Sequence, residues 1–199
     1  EVKGVGAHGA VPEHTVDATL VACHITLALQ SIVSRNITPF EPAVVTVGSI
    51  QAGHAPNIIN DHVLMKLTVR TLNEQVRETV LQRIHDIAVA QAESFNATAT
   101  LTHVNGSPVL RNDPATNAMV REVATALFGA GQVGEVKPFM GSEDFAFMLE
   151  QHPHGSYFTI GAGDEPDRCM VHNPGYDFND ALLLTGAALW CGLTERYLR

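Results

Sequence analysis

His8 lies in the run Gly6-Ala7-His8-Gly9-Ala10. Glycines on both sides let the backbone bend and a ligand approach the ring. An imidazole placed that way can donate a hydrogen bond or move a proton, and the same run also suits a turn histidine with no further role. Asn57, in Ala55-Pro56-Asn57-Ile58-Ile59, is a turn former by type. Arg70 shares a strand face with Lys66 and Thr68. A guanidinium there is either solvated or available to hold a carboxylate through two N–H groups. Ser142, Glu143 and Asp144 follow Gly141 at the start of a short helix. Ser142 suits the N-cap, and the two acids suit the positive end of the helix dipole. No Gly-x-Ser-x-Gly elbow marks Ser142 as a nucleophile. His172 begins the polar loop His172-Asn173-Pro174-Gly175-Tyr176-Asp177 ahead of a helix. Such a loop suits a binding site, although a loop histidine is often only solvated. Histidines 14, 24, 54, 62, 85, 103, 152 and 154 show no metal-ligand spacing, and His24 falls on a helix face with Leu20 and Leu27.

The elements that must position these residues follow from hydrophobic periodicity. Residues 2–8 read as a short strand broken by glycines. Thr15 is the expected N-cap of a helix from residue 16, with one apolar stripe at Val16, Leu20, Cys23 and Leu27 and a second at Val21, Ile25 and Leu29. A helix apolar on so much of its surface is expected to be covered on two sides, by its own sheet and by a partner. Residues 43–50 are β-branched, and residues 63–70 alternate with a period of two, so both read as strands around a loop at 51–61. Asn73 is placed to cap a second helix, with Val76, Val80, Ile84 and Ile87 on one stripe, and a Thr-rich strand is expected over 97–104. The order is βαββαβ, the ferredoxin-like unit.

Asn105-Gly106-Ser107-Pro108 reads as a domain boundary. Beyond it, Asp113-Pro114 supplies an N-cap followed by proline at the first helical position. Met119, Val123, Ala126 and Leu127 form that helix's stripe, and Gly129 ends it. Strands are expected at 136–139 and 157–160, and a last helix at 180–197. This half offers too little sheet for a complete domain.

Composition narrows the class. Of 199 residues, 45% are hydrophobic and 17% charged, which supplies a packed core. The net charge of −9, with no basic run, argues against nucleic acid or an anionic membrane as partner. No stretch reads as a membrane span. Cys23, Cys169 and Cys191 are odd in number and widely spaced, which suggests free, mostly buried thiols and a cytoplasmic setting. With no initiator Met and no signal-peptide pattern, the chain is expected to begin inside a longer protein.

Taken in order, these segments resemble one family. GAHGAVPEHTVDA, SIVSRNITPFEPAVVTVGSIQAGHAPNIIN, LTVRTLNEQVR, MGSEDFAFMLE and VHNPGYDFND are similar to successive motifs of the aminoacylase, hippurate hydrolase and indole-acetyl-amino-acid hydrolase family of di-metal amidohydrolases and peptidases. The resemblance covers nearly the whole chain. Departures are Ala7 for a family Gly, Glu13 for a His, and Ala18 and Asn60 for prolines.

The resemblance implies an α/β (α+β) fold. Residues 1–106 would be a ferredoxin-like dimerisation lid, and 107–199 the C-terminal segment of a zinc-peptidase-like catalytic domain. It implies metal-dependent hydrolysis of N-acyl amino acids or small peptides by the full-length enzyme. His8 and Asn57 would be catalytic, His8 as an oxyanion contact in the partner subunit's site. Arg70, Gly141 and Ser142 would bind substrate, and His172 would ligate metal. Two divalent ions (zinc, or manganese, cobalt or nickel) are implied for the full-length enzyme. The family's upstream metal-binding half, with its His-x-Cys-Gly-His-Asp segment, is not in this sequence, so this chain alone is expected to bind no stoichiometric metal and to be inactive. A homodimer through the lid is implied. A non-catalytic dimerisation or small-molecule-binding module is the other reading open to a βαββαβ unit.

Overall fold

The computed structural model describes residues 1–104, 106–163 and 169–199. Asn105, one end of the expected boundary, lies outside them. The chain divides into two compact units, Glu1–Val109 and Leu110–Arg199.

The first unit runs β1 (Val2–Lys3), β2 (Ala7–His8), a turn of 3-10 helix (Pro12–His14), α1 (Ala18–Asn36), β3 (Ala43–Ala52), β4 (Ile58–Ile59), β5 (His62–Thr71), α2 (Glu74–Ser94) and β6 (Thr98–Ala99). Its sheet has the order β3-β5-β1-β6, with every neighbouring pair antiparallel. That is the ferredoxin-like βαββαβ arrangement. A separate antiparallel ribbon, β2 with β4, is added at one end. β3 pairs with β5 from Ala43 opposite Thr71 to Ala52 opposite Val63, with a bulge between Val47 and Ser49.

The core lies between the sheet and both helices. Val21, Ile25, Leu29 and Ile32 of α1 and Val80, Ile84, Ala88 and Ala92 of α2 are buried with Val2 and Val63 of the sheet. Only one of the two stripes on α1 is covered within this unit. On the other, Leu20 is 48% and Leu27 72% exposed.

Several expectations are corrected. Thr15 does not cap α1. The Val16 amide and carbonyl are both bonded to Val5, so the helix cannot start before Asp17, whose carboxylate accepts from the amides of Thr19 (2.9 Å) and Leu20 (3.2 Å). β6 is shorter than the run 97–104, because a strand lasts only as long as its ladder partner and β1 has just Val2 and Lys3. The thiols are not mostly buried: Cys23 and Cys191 are exposed on outer helix faces. Ala18–Asn36 does reach the length and apolarity of a membrane span, contrary to expectation, yet Ala18, Val21, Ala22, Ile25, Leu29 and Ile32 spend that apolarity on the core.

The second unit contains α3 (Pro114–Phe128), a 3-10 turn (Ala130–Gln132), α4 (Phe145–Gln151) and α5 (Leu182–Tyr197). Asp113 caps α3 as expected, accepting from the Thr116 amide at 2.8 Å, and Gly129 ends the helix. Val123, Leu189 and Leu193 form the buried centre, with Met119, Val120 and Phe158 packed around them. Neither expected strand forms. Val136 and Phe139 are 67% and 61% exposed, and residues 136–139 have no ladder among the described residues. At Tyr157 the Asn112 side-chain amide takes the place of a neighbouring strand, bonding both the Tyr157 amide and carbonyl at 2.8 Å.

Two substitutions probe the first unit. Ile32→Ala removes a side chain that is 0% exposed and is expected to cost about 2–5 kcal/mol. Asp17→Ala should cost about 1 kcal/mol through the lost cap. Urea unfolding checks both, and equal losses would contradict the roles given to core and cap.

Candidate functional site

The β2–β4 ribbon brings His8 and Asn57 together. His8 stands opposite Ile58 and Ala7 opposite Ile59. The Gly9 amide donates to the Asn57 carbonyl at 2.8 Å. The flanking glycines are needed for this approach: a Cβ at Gly6 would lie 2.9 Å from the Ile59 oxygen, and one at Gly9 3.2 Å from the Asn57 oxygen. Both site side chains are exposed. Beside them is an open cleft of about 620 Å³ bordered by Gly9, Asp17, Gly53, His54, Pro56 and Asn60.

His8 carries a specific polarity. The Ala10 amide donates to His8 Nδ1 at 3.1 Å. An Nδ1 that accepts cannot carry the proton of the neutral ring, so Nε2 does, and Nε2–H is left as an exposed donor. Such a group can bind an oxygen on which negative charge grows.

Arg70 is not part of this cluster. It sits opposite Val44 near the far end of β5. Eight residues separate it from His62, where β5 leaves the ribbon end, and at strand rise that is about 26 Å. Arg70 is half-buried and makes no side-chain hydrogen bond or ion pair among the described residues.

In the second unit, Gly141 and Ser142 are exposed in the turn before α4. Ser142 is not the N-cap. Asp144 occupies that position and makes no side-chain cap bond. A Cβ at Gly141 would meet the Phe139 ring at 2.5 Å, so glycine lets that ring fold over the turn. His172 is exposed with φ +69°, in a turn closed by the Tyr176 amide on the Asn173 carbonyl at 2.9 Å. Histidine is among the residues that tolerate this left-handed conformation. No hydrogen bond among the described residues joins His172 to the turn at Gly141 and Ser142.

His172 has the right donor chemistry for a divalent ion, but such sites take three or four protein ligands. No group of three or more His, Cys, Asp or Glu among the described residues could hold one. The donors among the described residues do not by themselves fit the ion.

Sequence reasoning missed one pair. Glu143 was expected only to complement the helix dipole. Its carboxylate instead accepts from the Tyr157 hydroxyl at 2.9 Å and from the Phe145 amide at 3.4 Å. The Tyr157 hydrogen bond, with further bonds from Asp144 and Phe145, holds Glu143 below the ordinary carboxylate range. The same Glu143 bond pushes Tyr157 up. Residues 14 apart carry no local pattern that would have announced this contact.

Residues 1–96 match the peptidase dimerisation domain of the M20 family. Hippurate hydrolase of Campylobacter jejuni is 36% identical over the whole chain, which covers 51% of that enzyme. An aminohydrolase structure from methicillin-resistant Staphylococcus aureus superposes with TM-score 0.82 at 27% identity, over 97% of this chain and 48% of that one. Over its whole length the chain is similar to hippurate hydrolase and other amidohydrolases. A dinuclear metal-binding M20 peptidase of Bacillus subtilis shares the fold, with TM-score 0.67 at 24% identity, over 96% of this chain and 48% of that one. The chain spans about half the length of the curated relatives it matches.

The Glu143–Tyr157 pair and Asp113 have a pH signature. Asp113, lowered first by the Thr116 amide, and Glu143 contribute stability that is present above the ordinary carboxylate range and lost as pH falls through their lowered values. Tyr157 contributes below its ordinary value near 10, and that part is lost as pH rises through its raised value. Stability should therefore fall at both acid and alkaline ends. Tyr157→Phe should flatten the alkaline limb and shrink the acid one in urea titrations. A variant profile parallel to the parent's would count against the assignment.

Proposed function

We propose that the full-length protein carrying this chain hydrolyses the amide bond of N-acyl amino acids or small peptides. The observation that carries this is the Ala10 amide on His8 Nδ1, which leaves Nε2–H as a donor beside Asn57. His8 receives the developing oxyanion through Nε2–H, and Asn57 assists. Arg70 grips the substrate carboxylate in bidentate fashion. Gly141 and Ser142 line the pocket. Two divalent ions serve the full-length enzyme, with His172 as one ligand and the remainder outside this chain. Residues 1–106 are the lid and 107–199 the end of the catalytic domain. The setting is cytoplasmic, supported by three free thiols, and net charge −9 supports a small-molecule substrate rather than nucleic acid.

The lid dimerises about a two-fold axis. α1 leaves Leu20 and Leu27 exposed, and β3 is an edge strand with Val44 and Ile50 38% and 43% exposed. One isologous contact covers these on both copies. The same symmetry resolves the placement of Arg70. Antiparallel pairing of two β3 edges sets the far end of one hairpin beside the tip of the other. His8 and Asn57 of one subunit then serve the site where the other subunit's Arg70 holds substrate.

His8→Ala should lower kcat on the order of 100–1,000-fold with little change in KM, and Arg70→Ala should mainly raise KM. Because the two residues act from different subunits, an equal mixture of the two variants should regain about a quarter of parental activity, from the one intact site in each heterodimer. Mixtures no better than the separate variants would place both residues in one subunit's service. For the metal, elemental analysis of the full-length protein should find divalent ions that His172→Ala largely removes, while this chain alone binds none stoichiometrically. A full-length protein inert toward N-acyl amino acids with each of zinc, manganese, cobalt and nickel would leave the non-catalytic module.

A further inference from the structure

The turn before α4 lacks the usual means of fixing a helix start. Asp144 makes no side-chain cap bond, and Ser142 is exposed. The turn is tied down one residue later. Glu143 Oε1 accepts from the Phe145 amide at 3.4 Å, and Oε2 accepts from the Tyr157 hydroxyl at 2.9 Å. One carboxylate thus spans the turn and a segment 14 residues away.

Tyr157 is itself held from three sides. Its amide and carbonyl are both bonded to the Asn112 side chain at 2.8 Å. Its ring packs against Phe145, with centroids 5.8 Å apart. Just before it in the chain, Ser156 donates to Asn117 at 3.0 Å, and the Asp113 amide donates to the Gly155 carbonyl at 2.9 Å. Asp113 in turn caps α3. The hydroxyl of Tyr157 is therefore a fixed point referred to the start of α3, and Glu143 hangs the turn from it.

We infer that Glu143 and Tyr157 are a positioning pair that sets the turn at Gly141 and Ser142 against the substrate. The inference rests on the reading that this turn lines the amidohydrolase pocket. The pair touches no reacting atom. Glu143 shares a peptide bond with Ser142, so freeing its carboxylate frees the Ser142 main chain and the Gly141 contact with Phe139. The pair is suited to a constant duty: the phenol favours an ionised carboxylate and the carboxylate favours a neutral phenol, so the bond persists across the neutral range.

Tyr157→Phe removes the hydroxyl while keeping the ring and both backbone bonds to Asn112, and Glu143→Gln keeps the size of the other partner. Two measurements separate anchoring from function. In this chain, amide hydrogen exchange at residues 142–145 should rise in both variants, with α3 and α5 as protected as in the parent. The double variant should exchange no faster than the faster single, as two halves of one bond require. In the full-length protein, KM for hippurate or an N-acetyl amino acid should rise about three- to tenfold with kcat nearly unchanged, since what is lost is substrate positioning shared by ground and transition states.

Unchanged exchange at 142–145 overturns the anchoring. Raised exchange with unchanged KM in an active enzyme reduces the pair to a structural bond and overturns the positioning role. A parent enzyme that hydrolyses none of these substrates, with exchange behaving as described, overturns the amidohydrolase reading and the pocket role with it, while the anchor stands.

Discussion

Val2 pairs with Val63 on one side and with Ala99 on the other. That two-sided pairing places a two-residue strand in the middle of the sheet, where Val2 is 2% exposed beneath α1 and α2. Both helices must cover one face for the pairing to be worth its ordering cost. It also decides where the chain leaves the sheet. Gly4 donates to Asp61 at 2.8 Å, and Val5 bonds Val16. The next residues are thereby delivered to the hairpin tip between β3 and β5, where His8 meets Asn57. The β2–β4 ribbon is thus an outgrowth of the core strand, held on a rigid support rather than on a free loop.

The same hairpin separates the polar groups it presents. Its tip carries the His8 and Asn57 ribbon, and its open end carries Arg70. A substrate the size of an N-acyl amino acid cannot bridge a strand of ten residues. Two copies related by a two-fold axis turn this distance into proximity, because the axis exchanges the ends. The exposed stripe of α1 and the unpaired edge of β3 are the surfaces such an axis would cover. Under the proposed function, dimerisation and catalysis would share one geometric cause.

Much of this was legible in the sequence. The βαββαβ order, the caps at Asn73 and Asp113, and the buried stripes Val21–Ile25–Leu29 and Val80–Ile84 all follow from local periodicity and side-chain type. What local reasoning missed depends on partners distant in sequence. Thr15 lost the cap because Val16 was already bonded to Val5. The run at 157–160 is strand-like in composition, but Asn112 occupies its hydrogen bonds. Glu143 looked like a dipole residue until Tyr157 came beside it. In the site, motif order singled out His8, Asn57 and Arg70, while the tautomer of His8 and the distance to Arg70 required coordinates.

In the proposed function, one substrate is held by His8 and Asn57 from one subunit and Arg70 from the other. A crystal structure of the full-length protein with an N-acyl amino acid bound tests it most directly. His8 Nε2 should lie within hydrogen-bond distance of the acyl carbonyl oxygen, and the partner subunit's Arg70 should be in bidentate contact with the carboxylate. His8 and Arg70 of the same subunit on one ligand, or Nδ1 rather than Nε2 facing the carbonyl, would contradict it.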